Sequence, residues 1–195
     1  MINVSNIKEC KKTVTRYVTA RIPFLALNTI EQGRTLEMLK EVADSMSITM
    51  YVHTTSKGIY DISSGNTACE DKELMLAMEF MNGQFRRREN LTIVFTETPD
   101  LTSDNIDSRQ MLGLVNLAEE RGGMVIVLTN GPIWGQLQRA GMTMTVDLPD
   151  EEEMYSIIRE YIDSYRNQIP IEWDDSDIRE AASTLTGVTR ICLLY

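Results

Sequence analysis

The sequence carries little that would hold a fold together covalently: three cysteines in 195 residues, Cys10, Cys69 and Cys192, far apart and in no CxxC or CxH spacing. That spacing supports neither a disulfide framework nor a zinc site, and the three are expected to be ordinary reduced thiols. No apolar run approaches the ~18 to 20 residues that a membrane helix needs. The opening MINVSNIKECKKTV has no hydrophobic stretch behind its basic residues to act as a signal peptide, so a cytosolic protein is expected. G-x-S-x-G is absent, which removes a common hydrolase signature. Histidine occurs once, as His53, with no Cys or Asp at a ligand or triad spacing, and is expected simply to end a strand. Positive charge is also short: the net charge of -10 argues against a nucleic-acid backbone as the main partner, because phosphate binding needs clustered Lys and Arg.

What is present is the composition of an ordinary globular protein, 43% hydrophobic and 25% charged, with enough length for one α/β domain and a small appendage. Charge is unevenly placed. Residues 1–21 carry Lys8, Lys11, Lys12, Arg16 and Arg21 against Glu9 alone, whereas residues 147–180 carry twelve acids against Arg159, Arg166 and Arg179. Such ends are either two solvated helix faces or surfaces that dock head to tail between copies. Arg86, Arg87 and Arg88 form a third cluster, read as a solvated helix end or as a site for phosphate or an acidic partner. Most of the twelve methionines should fill the core, with Met142 and Met144 partly exposed.

Helical and strand patterns alternate along the chain. Ile7, Val14 and Val18 place a leader helix over 5–20, capped by Ser5 and stopping before Pro23. Continuous apolar runs at 22–27, 48–53, 91–95 and 124–129 read as strands covered on both faces, and 142–146 as a fifth short strand. Between them, helical periodicity occupies 35–46, 71–87 and 107–121, the last closed by Gly122 and Gly123. Residues 56–67, rich in Gly and Ser, are a loop or short hairpin. Strands joined by helices of this length require right-handed crossovers. The expected fold is a three-layer, doubly wound α/β sandwich with a mostly parallel five-stranded sheet. Its expected organisation is a leader helix at 1–21, the α/β core at 22–149, and at 150–195 an acidic helix (151–166) with a second helical element starting near Asp174 and ended by Gly187.

In open α/β sheets, ligands bind beyond the carboxyl ends of the strands. The first such loop runs from Asn28 to Thr35. Set against G-x-x-x-x-G-K-[ST], it keeps Gly33 and Thr35 but has Arg34 for the lysine and Asn28 for the opening glycine. Arg34 is planar and differently aimed from an ammonium, and Glu31 puts negative charge where a triphosphate would sit. After the third strand, Thr96 stands where an ATPase needs a magnesium-holding Asp, while Glu97 occupies the place of the water-polarising Glu, ahead of Thr98, Pro99 and Asp100. Thr129 and Asn130 follow the fourth strand, where a polar side chain would meet a γ-phosphate or a water, unless Asn130 is simply a turn residue before Gly131 and Pro132.

With these features in place, 125–154 resembles the stretch of AAA+ proteins that runs from the sensor 1 strand through the arginine-finger region to an acidic helix start. Thr129 and Asn130 match the sensor 1 pair, Arg139, Ala140 and Gly141 resemble Arg-Pro-Gly, and Leu148, Pro149, Asp150, Glu151, Glu152 and Glu153 fit the following consensus. Met142 stands at the finger arginine. Residues 185–189 resemble the start of a helical lid, which implies a truncated lid. The stretch 16–62 is similar to the opening of the two-module AAA proteins of bacteria and plastids, whose first module has a Thr-x-Glu-x-x-Arg loop and no proper Walker A; Thr29, Glu31 and Arg34 match that loop. The resemblance implies a P-loop NTPase-like module that has lost its nucleotide chemistry and serves assembly or regulation with a protein partner, a homo-oligomer or an active AAA+ module. The alternative is an ATPase in which Asn28, Gly33, Arg34, Thr35 and Asn130 bind ATP with magnesium and Glu97 is catalytic. A receiver-like or flavodoxin-like module is disfavoured, because the first strand ends in Asn28 rather than in an acidic cluster.

Overall fold

A computed structural model of the protein describes residues 2–4, 6–98, 101–166, 168 and 170–189. Ser5, Pro99, Asp100 and Cys192 lie outside them. In chain order the elements are β1 (Ile2–Val4), α1 (Ile7–Thr19), β2 (Phe24–Asn28), α2 (Gln32–Met46), β3 (Met50–Thr54), β4 (Gly58–Asp61), β5 (Thr67–Cys69), α3 (Leu74–Arg87), β6 (Thr92–Phe95), α4 (Ile106–Glu120), β7 (Met124–Thr129), α5 (Gly135–Arg139), β8 (Met142–Val146), α6 (Glu151–Tyr165) and α7 (Asp175–Thr184). The strands form one sheet in the order β1-β8-β2-β7-β6-β3-β4-β5. The five strands expected from the sequence make its parallel centre, with β7 and β8 at their expected bounds. The three additional strands extend its edges. β1 runs parallel beside β8, and the Gly- and Ser-rich stretch folds back as the antiparallel pair β4 and β5.

Alternation along the central strands explains why they read as unbroken apolar runs. Tyr51, Ile93, Phe95, Val125 and Val127 face one core, shared with α3 and α4. Met50, Val52, Val94, Ile126 and Leu128 face the other, shared with α1 and α2. Each buried Val, Leu, Ile or Phe contributes roughly 1.5–3 kcal/mol, so the two cores dominate stability. Met144 is fully buried rather than partly exposed, because β8 lies between β1 and β2 and presents this residue to the second core; Met142 is half-buried. Cys10 is also buried there, and burial pushes its thiol up to about 12, so it stays protonated.

Helix ends follow local chemistry. Asn6, rather than Ser5, caps α1, its side chain accepting from the Glu9 N–H at 2.9 Å. Asn105 caps α4 in the same manner. At Asp174 a full capping box starts α7, with Asp177 reaching back to the cap N–H. Arg86, Arg87 and Arg88 are exposed at the C-terminal end of α3, and Arg86 is held by Asn82 at 2.8 Å. Helices α6 and α7 pack around a small cluster of their own, Met154, Ile158, Ile162, Ile178 and Ala182. Among the described residues, no helix is long and apolar enough to cross a membrane.

Gly141 opens β8 against the backbone of β2, and a Cβ there would run into the Phe24 carbonyl. The neighbour is main chain inside a ladder and has no room to move. Gly141→Ala is therefore expected to cost about 1–3 kcal/mol, read as a lower urea midpoint at unchanged slope.

Candidate site at the carboxyl edge of the sheet

The turn between β2 and α2 is short. Only Thr29, Ile30 and Glu31 separate strand from helix, because α2 begins at Gln32, three residues before the periodicity suggests. Gly33 and Arg34 therefore lie in the first helical turn rather than in a loop. Thr29 pins the turn: its N–H donates to the Thr129 carbonyl at 2.7 Å, and its Oγ1 accepts from the Glu31 N–H at 3.0 Å. Thr35 is fully buried, with its hydroxyl 3.0 Å from the Glu31 carbonyl and 3.2 Å from the Thr29 hydroxyl. Ile30, at the middle of the turn, is 66% exposed.

Arg34 is 7% exposed and turns inward. Its Nη1 pairs with the Glu31 carboxylate. Its Nη2 donates to the Asp147 carbonyl at 2.8 Å and to Glu153 Oε2 at 3.3 Å, while Nε lies 2.7 Å from Glu153 Oε1. Two buried carboxylates thus enclose one buried guanidinium, and the planar fork of arginine suits this in a way that a lysine would not. Glu153 comes from the first turn of α6 and also accepts from the Ile7 N–H at the start of α1. Burial raises its pKa, against the opposing pull of Arg34 and of that N–H. Asp150 and Glu153 have the spacing of a capping box, but only half of it forms: Asp150 accepts from the Glu153 N–H at 2.9 Å, and the Glu153 side chain goes to Arg34 instead. Beside the triad, Lys8 and Lys11 share a cleft of about 290 Å³ with Glu37, Glu41 and Glu160. The basic leader and the acidic helix therefore face each other within one chain.

The remaining candidates sit at the same carboxyl edge. Gln32 Nε2 donates to the Thr96 carbonyl at 2.8 Å, tying the turn after β2 to the end of β6. Asn28 is in register with Thr129, and Asn130 follows it, exposed, in a bend. Glu97 is half-buried, and its carboxylate accepts from the Thr55 N–H at 2.6 Å. Hydrogen bonds from Thr55 hold its pKa below the usual carboxylate value. His53, one residue before the end of β3, is fully buried and packed on Phe95 at 5.7 Å between ring centres. Its Nε2 lies 3.0 Å from the Lys72 carbonyl, which can only accept, so Nε2 carries the proton. Nδ1 is then a buried acceptor with no hydrogen-bond partner among the described residues. Among the described residues, no group of three or more His, Cys, Asp or Glu side chains is placed to hold a metal ion.

Glu153 and Asp147 are the members of this site that the sequence does not single out. Glu153 stands in a run of three glutamates, and its partner Arg34 is 119 positions away. The one available signal was its place three residues after Asp150, and that signal points to a helix cap.

Residues 10–148 match the model of the SpoVK-like AAA ATPase N-terminal domain, so the chain belongs to that family. It is an AAA+ ATPase-like module. No curated protein matches the chain. Its backbone resembles a chain of the E. coli MS115-1 HORMA:CdnC:Trip13 complex, with TM-score 0.62 and 10% identity over 92% of this chain and 73% of that one. It also resembles AMPPCP-bound DnaA from Aquifex aeolicus, with TM-score 0.59 and 11% identity over 96% of this chain and 60% of the other. C. elegans PCH-2 is similar at TM-score 0.57 and 12% identity, over 86% and 50%. The chain spans between half and three quarters of the length of these three, and at such identity the likeness defines the fold alone.

Arg34→Ala leaves two buried carboxylates facing each other without their cation. It is expected to lower the unfolding free energy by about 3–5 kcal/mol in a denaturant titration, and a loss below about 1 kcal/mol would show that the triad is solvated instead. His53 gives a second prediction. Burial holds its folded pKa below the ordinary value near 6.5, so the unfolded chain takes up the proton first. Its contribution to stability is complete above about pH 6.5 and is lost as the pH falls toward the folded pKa. Urea midpoints compared at about pH 7.5 and about pH 5.5 should show a fall that is smaller in His53→Gln; an equal fall in both proteins would remove His53 as the cause.

Proposed function

We propose that this module contributes shape rather than turnover: it is a non-hydrolysing AAA+-like domain that serves assembly or regulation, with its degenerate phosphate loop filled by its own side chains. The observation that carries the reading is the Arg34 guanidinium held by Glu31 and Glu153, at the positions where a phosphate loop presents a cation and open space. A triphosphate entering there would meet two carboxylates, and its oxygens would have to displace both from a buried pair. Thr35, which would reach magnesium, is instead spent on Thr29 and Glu31, and Thr96 in place of Asp donates to the His53 carbonyl at 3.0 Å.

The part before residue 22 then supplies the edge strand β1 and the leader helix α1, 22–149 the rest of the AAA+-like core, and the part after 149 an acidic helix pair, in a cytoplasmic protein whose partner is another protein, a second copy or an active AAA+ module. One solved chain of this fold belongs to a protein complex, HORMA:CdnC:Trip13, which supports a protein as the partner class. The rival reading, a weakly active ATPase, rests on Glu97, which follows β6 at the sheet's carboxyl edge and whose pKa is lowered by hydrogen bonds from Thr55.

Calorimetric titration with ATP and magnesium separates the two. No saturable heat is expected up to about 1 mM ligand. Gly33→Ala should stabilise the fold by roughly 0.5–1 kcal/mol, since the site is helical and open. Micromolar binding that Arg34→Ala abolishes, or steady phosphate release that stops in Glu97→Gln, would establish the enzyme instead.

A further inference from the structure

The two terminal helices present a mechanical problem. Their apolar cluster is separate from the two cores of the sheet, and α6 and α7 pack chiefly on each other. Something other than a shared core must fix the pair on the sheet. The polar contacts that cross over centre on the Arg34–Glu153 pair. Glu153, in the first turn of α6, reaches Arg34 at the start of α2 and the Ile7 N–H at the start of α1, while Arg34 also holds the Asp147 carbonyl just ahead of α6. The two charged side chains are largely withdrawn from water, Arg34 and Glu153 being 6% and 13% exposed.

We propose that Arg34 and Glu153 form a built-in latch that sets the α6–α7 pair on the α/β core with no ligand between them, the guanidinium acting as an internal substitute for one. The inference rests on the shape-only reading above and adds how the shape is kept. An ion pair in a nearly closed site is directional: it fixes one orientation of α6, whereas apolar contact between smooth helix faces tolerates sliding. Glu31 is the second carboxylate on Arg34 and comes from the turn itself, so the latch is anchored on the core side even when α6 moves. Opening it leaves Glu153 without its guanidinium and Arg34 with one carboxylate in place of two, which favours a closed state over intermediate positions.

Hydrogen exchange on the full chain tests this without any ligand. Glu153→Gln removes the α6 charge. A triple variant, Glu31→Gln with Arg34→Met and Glu153→Gln, removes every charge of the site while keeping similar side-chain volume, so that the core is not left with an unpaired ion. Amides of α6 and α7 should exchange about tenfold faster or more in both variants, with β2 and β7 at wild-type rates. The triple variant decides. If its α6 and α7 exchange as in the wild type, apolar contacts alone hold the pair and the latch is wrong. If its core strands speed up together with α6, the triad is a core element and the latch is equally wrong. Adding ATP and magnesium to the wild type keeps the two readings apart. Slower exchange at Thr29–Thr35 on addition would sink the shape-only reading, and the outcome of the ligand-free comparison would still stand.

Discussion

A guanidinium that has left water must be compensated by groups that have left it too, and in this protein that requirement organises everything around the end of β2. Arg34 is enclosed by the carboxylates of Glu31 and Glu153 and by the Asp147 carbonyl. To meet the first, α2 must start early and bring Arg34 one helical turn from Glu31. To meet the second, the first turn of α6 must come back over the turn after β2. To meet the third, the strand-to-helix connection after β8 must pass close by. The short turn, the buried Thr35 and the return of α6 are thus linked parts of one electrostatic arrangement.

The sheet supplies the frame for it. Its parallel centre places the ends of β2, β6 and β7 side by side, and cross-links between their exits, from Gln32 to Thr96 and from Thr29 to Thr129, hold those ends in register. This frame is shared with solved structures at 10–12% identity, which is possible because two-faced burial asks only for apolar residues of about the right size along each strand. What such a frame does is decided by the few polar residues at its edge. Here those residues bond to one another or, for Asn130, lie in the open.

The parallel centre was legible because each buried strand is a short apolar run bounded by polar residues: 124–129 and 142–146 match the folded strands at both ends. The edges were less so. β4 and β5 are short and lie in a Gly- and Ser-rich stretch, and α5 has only five residues, too few to show a period. At the site, the places of Glu31, Arg34, Glu97 and Asn130 after strands were legible. The partner of Arg34 was not, since it sits in the acidic start of α6, where three adjacent glutamates look alike until the fold picks one. His53 was placed correctly near the end of β3, but its burial and its unbonded ring nitrogen depend on the Lys72 carbonyl and on Phe95, both distant in sequence.

The half-used cap at the start of α6 has a consequence for mutation. Glu153 stands where it would ordinarily bond its own helix, and it has been recruited by Arg34 instead. Exchanging Arg34 alone leaves both acids without their cation, and removing either acid alone leaves the arginine short of a partner. The three side chains are therefore coupled in substitution: a change at one is tolerated only when the other two change with it.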